Sequence, residues 1–339
     1  MAISHKIIDG KKQAQVVLDD VRTRVTRLKE LGWPPRLVSI DIGDSPAVSL
    51  YITNQKHACD QVGIDFEHRH YPGSITQREI LAAIQALNVD PRVTGIILQR
   101  PVPATLDLEQ LENALHVSKD VEGMSSAHIG NIVYGDSSLG PCTSLASLEL
   151  LRSTGLNLRG LEVVVVGHSE IVGKPVALLL VEELATVTIC HHATRNLRYH
   201  TRQADALIVA VGIPGLITAE MVKPGAAVID IGINHVDYIK PDGSPGRKIV
   251  GDVDFDGVHE VAGWITPVPG GVGPMTVAML LRNTVVATER QKQRYEEVMR
   301  ERVRIGSGQE KHESKAYESY FLTCARAVAQ ACTPLAISR

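Results

Sequence analysis

The chain has 339 residues, of which 44 % are hydrophobic and 22 % charged, and its formal net charge is −3. That length is typical of about two globular domains, and the near-neutral charge gives no electrostatic basis for binding nucleic acid or an anionic membrane. No apolar run is long enough to span a bilayer, and the first residues lack the apolar core of a signal peptide. The five cysteines are scattered without the spacing of a zinc site, so we expect no metal and a reducing, cytoplasmic location.

Helix and strand patterns alternate in the first half of the chain. Apolar residues at helical spacing predict a helix over 10–32, and an alternating segment that ends at a turn rich in Gly and Pro predicts a strand over 36–42. A further helix is expected to carry Tyr51 and to end at Gly63. Three more elements are predicted after it: strand 66–71, helix 76–87 and strand 93–98. This order favours an α/β fold with a parallel sheet.

The second half repeats the alternation with glycine-containing turns. Continuous apolar runs predict four strands, at 161–166, 186–190, 206–211 and 227–231. Glycine follows three of these strands, at Gly167, Gly212 and Gly232. This pattern is typical of a doubly wound, Rossmann-type nucleotide-binding domain.

The turn after the first of these strands is a candidate dinucleotide site. Gly167, Ser169 and Gly173 lie between a buried strand and a helix predicted to end at 183, where backbone N–H groups and the helix dipole attract a pyrophosphate. The spacing departs from the standard G-x-G-x-x-G pattern, and a plain strand–helix turn is the competing interpretation. No acidic residue follows at the position that often binds a ribose hydroxyl, and His168 and His192 can face a 2′-phosphate, which favours NADP over NAD.

A run of proline and glycine at 267–276 is the most unusual segment of the chain. Its sequence is Pro-Val-Pro-Gly-Gly-Val-Gly-Pro-Met-Thr, which is typical of a rigid turn whose backbone a ligand can approach closely. An apolar helix is predicted to follow over 277–286. The chain then becomes charged over 290–297, is expected to break at the glycines 306 and 308, and is predicted to form another helix over 317–332.

Together these motifs resemble the bifunctional methylenetetrahydrofolate dehydrogenase/methenyltetrahydrofolate cyclohydrolase family. The resemblance covers roughly residues 5–288. It is strongest in the segments 164–175, 206–215, 228–234, 251–253 and 265–276. It implies hydride removal from 5,10-methylenetetrahydrofolate to a nicotinamide cofactor, followed by hydrolysis of the methenyl cation. We also expect a homodimer that binds neither nucleic acid nor membrane.

The resemblance also implies two domains with a cleft between them. The substrate domain is expected over 1–145 with a returning helix at 275–290, the Rossmann domain over 146–274, and a helical extension of unknown role over 291–339. Implied contacts with the folate come from seven residues: Tyr51, Glu122, His128, Pro269, Gly270, Gly271 and Pro274. Gln99 is implied to orient the side chain at position 55. Implied contacts with the cofactor come from ten: Gly167, His168, Ser169, Ile171, Gly173, Pro175, His192, Gly212, Ile233 and Thr276.

The chain departs from the family at its catalytic lysine. That lysine belongs to a Tyr-x-x-x-Lys helix motif, and the flanking residues align Tyr51 and place Gln55 at the lysine position. Residues four apart share a helix face. Lys56 follows Gln55 directly, so its side chain is rotated by about 100° around the helix axis, away from that face. Lys56 is therefore expected to be a surface charge, with a side chain that bends back into the pocket as the alternative.

Other pocket positions differ from the family pattern as well. They are Val48, Arg100, Glu122, His128 and the segment 144–146. The favoured hypothesis is a dehydrogenase with weak or absent cyclohydrolase activity, since glutamine neither titrates nor carries charge. A nicotinamide-dependent reductase of another iminium or folate-like substrate and a non-catalytic binding module are the alternatives.

Overall fold

The computed structural model describes residues 6–239 and 244–306. The helices, in chain order, are α1 Gly10–Glu30, α2 Pro46–Val62, α3 Gln77–Val89, α4 Leu108–Ala114, α5 Ser126–Val133, α6 Cys142–Arg152, α7 Gly173–Glu182, α8 Leu197–Thr201, α9 Phe255–Val261 and α10 Val272–Gly306. The strands are β1 Arg36–Ile42, β2 Asp65–Tyr71, β3 Gly95–Leu98, β4 Glu162–Val166, β5 Thr186–Cys190, β6 Ala206–Val209, β7 Ala227–Asp230, β8 Asn234–Ile239, β9 Pro245–Val250 and β10 Trp264–Ile265.

Two parallel sheets organise the described chain, and they confirm the predicted α/β class. The first sheet has the order β2-β1-β3, and the second has the order β10-β7-β6-β4-β5. Strands β8 and β9 form a separate antiparallel hairpin. Strands β3, β6 and β7 are buried along their whole length, as expected for parallel strands covered by helices on both faces.

Local sequence explains where several helices begin and end. Asp9 caps α1 by accepting from the amide of Lys12, and Thr76 caps α3 in a reciprocal pair with Glu79. Helix α2 starts with Pro46 in its first turn and ends at Gly63, whose φ of 83° a glycine adopts without strain. These three helices lie close to their predicted ranges.

The C-terminal helix differs from the prediction. We expected an apolar helix over 277–286 that begins after the Pro-Gly run, but α10 starts inside the run at Val272 and continues to Gly306. Gly273 and Pro274 are tolerated because the amides of a first helical turn need no intrahelical partner. Helix α10 still includes Gly306, where the predicted break begins. Residues 307 and 308 and the predicted helix 317–332 lie outside the described residues.

The described chain divides into two compact units, of which the first ends at Glu289 and the second begins at Arg290. Both parallel sheets belong to the first unit. Over residues 6–239 and 244–306, no helix combines the length and hydrophobicity that crossing a membrane needs. The domain boundaries, the homodimer and the cytoplasmic location stay predictions.

Candidate active site

A cluster of buried and half-buried polar side chains lies where α2 meets the end of β3. Tyr51 and Gln55 are four residues apart on α2, and Gln99 follows β3 directly. Gln55 has no exposed surface, and its Oε1 accepts a hydrogen bond from Gln99 Nε2 at 3.0 Å. Burial, and then the neighbouring charge of Glu122, raises the pKa of the Tyr51 hydroxyl, so Tyr51 is a neutral group here. The structure thus brings four of the predicted site residues together.

Sequence reasoning missed a fifth polar residue in this cluster. Ser39 on β1 is fully buried, accepts from Gln99 Nε2 at 2.9 Å and donates to Gln55 Oε1 at 3.4 Å. A serine between apolar neighbours in a strand was the available signal, because a buried hydroxyl needs a hydrogen-bond partner.

Lys56 does not belong to the cluster. Its side chain is 60 % exposed, and its ammonium pairs with Asp60 one helical turn further along α2, with 2.7 Å between Nζ and Oδ2. The structure therefore does not support Lys56 as a catalytic residue, because the helix carries its side chain away from the buried face.

Glu122 supplies a carboxyl group with perturbed acidity. Burial raises the pKa of Glu122 to about 8, with the charges of Asp120 and Glu112 acting in the same direction and that of Arg100 opposing them. Asp120 fixes the turn that presents Glu122 by accepting from the backbone amides of Gly123 and Ser125. At neutral pH the free carboxyl group of Glu122 is mostly protonated.

An open cavity of ≈ 550 Å³ lies beside this turn. Its wall includes Arg100, Glu112, Met124 and Glu170, so it reaches from the end of β3 to the turn that follows β4. Arg100 forms an ion pair with Glu112. Burial raises the pKa of Glu112, and Arg100 counteracts that shift. The arginine beside Gln99 thus has a carboxylate partner within the protein.

Two of the unusual pocket residues are buried. The side chain of His128 is 1 % exposed, and its Nε2 lies 2.8 Å from the backbone oxygen of Val117. The predicted contact of His128 with substrate is therefore not supported, and the residue instead packs beneath the Glu122 turn. Val48 is also buried.

The Pro-Gly run is held by close backbone packing. A Cβ on Gly10 would lie 1.8 Å from the carbonyl oxygen of Gly271, so α1 begins directly against the run. Gly270 has a φ of 110°, which strongly favours glycine. Pro269 is exposed, whereas Gly270 and Pro274 are half-buried. These residues present a rigid surface at the start of α10.

The turn between β4 and α7 has the properties of a phosphate cradle. Gly167 has a φ of 126°, and a Cβ there would lie 2.2 Å from the carbonyl oxygen of Ala210. Ser169 Oγ accepts from the amides of Val172 and Gly173 at 3.2 and 3.4 Å. His168, Ser169 and Ile171 are exposed, whereas Gly173 and Pro175 are buried and shape the turn. The turn therefore fits a dinucleotide.

Replacing Gly167 by alanine is expected to abolish measurable cofactor binding and to lower the free energy of unfolding by about 3 kcal/mol, because the strained φ and the clash with Ala210 act together. Denaturant titration and calorimetry with NADP measure both effects. Gly130→Ala is the control, since Gly130 lies within α5 with open space around its Cβ position. Equal stability and equal NADP affinity in the two variants would contradict the proposed cradle.

Three histidine rings surround the outer side of this turn. The ring of His168 lies 5.1 Å from that of His191 and 5.7 Å from that of His192, measured between centroids. All three residues are exposed, and His191 and His192 follow β5, the edge strand next to β4. Sequence reasoning identified His168 and His192 but not His191. The described residues contain no group of three or more His, Cys, Asp or Glu side chains suited to a metal ion.

A buried pair of aspartates positions the loops after β6 and β7. Asp252 accepts from the backbone amides of Val211 and Gly212 at 2.7 and 2.9 Å and from the side-chain amide of Asn234 at 2.8 Å. Asp230 accepts hydrogen bonds from three further backbone amides. Burial raises the pKa of Asp230 to about 6. The exposed residues Gly212 and Ile233 are thereby fixed at the carboxyl ends of their strands, where ligands of such sheets bind.

Thr276 lies in the first turns of α10. Its hydroxyl donates to the carbonyl oxygen of Val272 at 3.1 Å, and the residue is half-buried. The contact of Thr276 with the cofactor stays a prediction.

Two family models match the chain. Residues 8–122 match the catalytic domain of tetrahydrofolate dehydrogenase/cyclohydrolase, and residues 141–292 match its NAD(P)-binding domain. The bifunctional protein FolD 2 of Mesorhizobium japonicum is 60 % identical over 291 residues, which are 86 % of this chain and 94 % of that protein.

Solved structures resemble the chain over a similar length. The bifunctional enzyme FolD of Campylobacter jejuni is 40 % identical with a TM-score of 0.79, and the match covers 84 % of this chain and 99 % of the other. The methylenetetrahydrofolate dehydrogenase-cyclohydrolase of Trypanosoma brucei, solved with NADP and an inhibitor, is 34 % identical with a TM-score of 0.79 over 84 % and 97 % of the two chains.

Proposed function

The chain belongs to the tetrahydrofolate dehydrogenase/cyclohydrolase family, and we propose that it oxidises 5,10-methylenetetrahydrofolate to the 5,10-methenyl cation while hydrolysing that cation weakly or not at all. The observation that carries this proposal is the buried, uncharged Gln55 within hydrogen-bond distance of Gln99.

Family membership confirms two predictions from the sequence. The protein is an enzyme of the NAD(P)-dependent methylenetetrahydrofolate dehydrogenase type, with a Rossmann-type second domain. The cofactor is NADP, which the Trypanosoma brucei relative also binds. When bound, NADP⁺ supplies the hydride acceptor.

The oxidation demands little acid–base chemistry from the protein. A C–H bond of the one-carbon bridge breaks, the hydride leaves with both electrons, and the positive charge that remains is shared by the two folate nitrogens. Catalysis then depends mainly on positioning. Tyr51 and Gln55 line one face of α2, and an uncharged amide at position 55 adds no repulsion to the developing cation.

Hydrolysis of the cation has a different requirement. Water must lose protons as it attacks, so a group that titrates near neutral pH accelerates the step. The amide of Gln55 does not titrate, and Lys56 is paired with Asp60 on the exposed face of α2. The Mesorhizobium japonicum and Campylobacter jejuni relatives are named as bifunctional, whereas the proposal of weak hydrolysis rests on the chemistry of this chain's own residue 55.

A specific feature favours a second candidate, a reductase of another iminium or folate-like compound. Arg100 introduces a cation next to Gln99 and forms an ion pair with Glu112 in the cavity wall. Calorimetry with reduced folates distinguishes the two candidates. Micromolar binding of methylenetetrahydrofolate, followed by NADP reduction, supports the dehydrogenase; absence of both supports the second candidate.

We expect His168→Arg to lower the KM for NADP about three- to tenfold and to leave the KM for NAD unchanged. Arginine is always charged and binds phosphate in a bidentate manner, whereas neutral imidazole contributes one hydrogen bond. Steady-state kinetics with both cofactors measures the effect.

The control for this prediction is His57→Arg, which adds the same side chain on the exposed surface of α2. An equal gain for NAD and NADP in His168→Arg, or the same gain in His57→Arg, would show that the three histidines do not face a 2′-phosphate.

A further inference from the structure

Strand β1 carries a polar side chain at a fully buried position. Ser39 has no exposed surface, and its neighbours Val38 and Ile40 are equally buried. A hydroxyl in such surroundings lowers stability unless it is hydrogen-bonded. Ser39 accepts from Gln99 Nε2 and donates to Gln55 Oε1, so its polar contacts are directed to the active-site amides.

The network fixes one end of the Gln55 amide. Its Oε1 receives hydrogen bonds from Ser39 Oγ at 3.4 Å and from Gln99 Nε2 at 3.0 Å. Because the carboxamide is planar, holding Oε1 also sets the direction of Nε2. Among the described residues, Gln55 Nε2 has no partner with hydrogen-bond geometry although it is buried, and the interaction of the Gln55 amide with the Tyr51 hydroxyl is the smallest of the influences on the pKa of Tyr51. A buried donor without a partner is uncommon and needs an explanation.

We propose that Ser39 is a positioning residue, which holds the Gln55 amide so that its unpartnered N–H donor binds an acceptor atom of the reduced folate. This inference rests on the proposed function, because a bound folate supplies the acceptor. Gln55 is then the group that touches the substrate, and Ser39 acts through it. The glutamine thus replaces a charged donor by an oriented neutral one.

Loss of the Ser39 hydroxyl weakens this orientation. The oxygen and nitrogen ends of an amide are nearly the same size, so a glutamine with fewer fixed contacts can rotate by 180°. In the rotated state Oε1 faces the folate acceptor, and two acceptors repel each other. We expect substrate binding to be weaker and hydride transfer to be slower, whereas cofactor binding at the β4–α7 turn is expected to be unchanged.

Ser39→Thr and Ser39→Val form a matched pair for the test. Their side chains have almost the same volume, and only threonine keeps the hydroxyl. We expect kcat/KM for methylenetetrahydrofolate to be about tenfold lower in the valine variant than in the threonine variant, as for the loss of one to two hydrogen bonds. The KM for NADP is expected to be equal in both. Ser39→Ala removes the hydroxyl without adding volume, so its kcat/KM can be compared directly with that of the unchanged protein.

The second arm repeats the pair in a Gln55→Leu background. If Ser39 acts through Gln55, the threonine and valine variants have equal kcat/KM there, because no amide remains to be oriented. A tenfold difference that persists in this background would show that Ser39 acts through Gln99 or through the fold and not through Gln55, and would overturn the proposal. Equal activities of the pair with Gln55 present would also overturn it, with the proposed function intact. An unchanged protein that oxidises no methylenetetrahydrofolate would overturn both.

Discussion

Gln55→Lys is expected to raise cyclohydrolase activity by about 10²-fold or more, the usual contribution of a positioned proton-transfer group. The substituted side chain lies at a position without exposed surface, next to the hydroxyl of Ser39, whose oxygen can accept from an ammonium, and to the amide of Gln99, which must rotate to present its oxygen instead of Nε2. Burial lowers the pKa of a lysine toward the range in which proton transfer is efficient at neutral pH. Spectrophotometric decay of methenyltetrahydrofolate measures the gain.

Two variants separate this effect from a change in overall charge. Asn54→Lys adds the same charge at the neighbouring, exposed position of α2, and Gln55→Met keeps the length of the glutamine side chain while it removes the amide and adds no charge. We expect no gain in either. If Gln55→Lys also brings no gain, residue 55 is not what limits hydrolysis, and Glu122 and Arg100 become the next residues to exchange.

Folate affinity is expected to rise with pH and to level off near pH 8, with a slope approaching tenfold per pH unit below that value. Glu122 has its pKa raised to about 8, so its carboxylate becomes protonated in the free protein as the pH falls below that value. A carboxylate accepts two hydrogen bonds from the amino-pyrimidine edge of a pterin, whereas a carboxylic acid does so less well. Binding therefore selects the ionised form and releases a proton. The KM for methylenetetrahydrofolate between pH 6 and 9 measures the slope.

Glu122→Gln is expected to lower kcat/KM for the folate by about 10²-fold and to remove the slope, since a charge-assisted pair of this kind contributes about 2–5 kcal/mol. Glu122→Asp keeps the carboxylate and is the matched control, with most of the activity retained. A pH slope that persists in Glu122→Gln would assign the titration to another group.

The sequence predicted the parts of the site that depend on local spacing. The four-residue interval between Tyr51 and Gln55 placed both on one helix face, and α2 contains that face with Lys56 outside it. The predicted strands 161–166 and 206–211 contain the observed strands Glu162–Val166 and Ala206–Val209, because continuous apolar runs are typical of buried parallel strands. The turn that begins at Gly167 was predicted from the buried strand that precedes it in the sequence.

Contacts between distant segments were not predictable in this way. Ser39 meets Gln99 across 60 residues, and Asp252 meets Gly212 across 40. Local patterns do not encode such pairs. The hairpin of β8 and β9 was missed because its residues are mostly exposed and show no apolar alternation. His128 was interpreted as a substrate contact because the sequence does not reveal that its side chain is buried and directed to the backbone oxygen of Val117.

The central claim is that redox chemistry persists while hydration of the methenyl cation is lost at Gln55. The most direct test adds purified protein to methenyltetrahydrofolate and follows its decay, with NADP-dependent formation of the same compound measured in parallel. We expect formation in proportion to enzyme concentration and decay at the rate of buffer alone. Decay that accelerates with enzyme concentration, at a rate comparable to formation, would contradict the account.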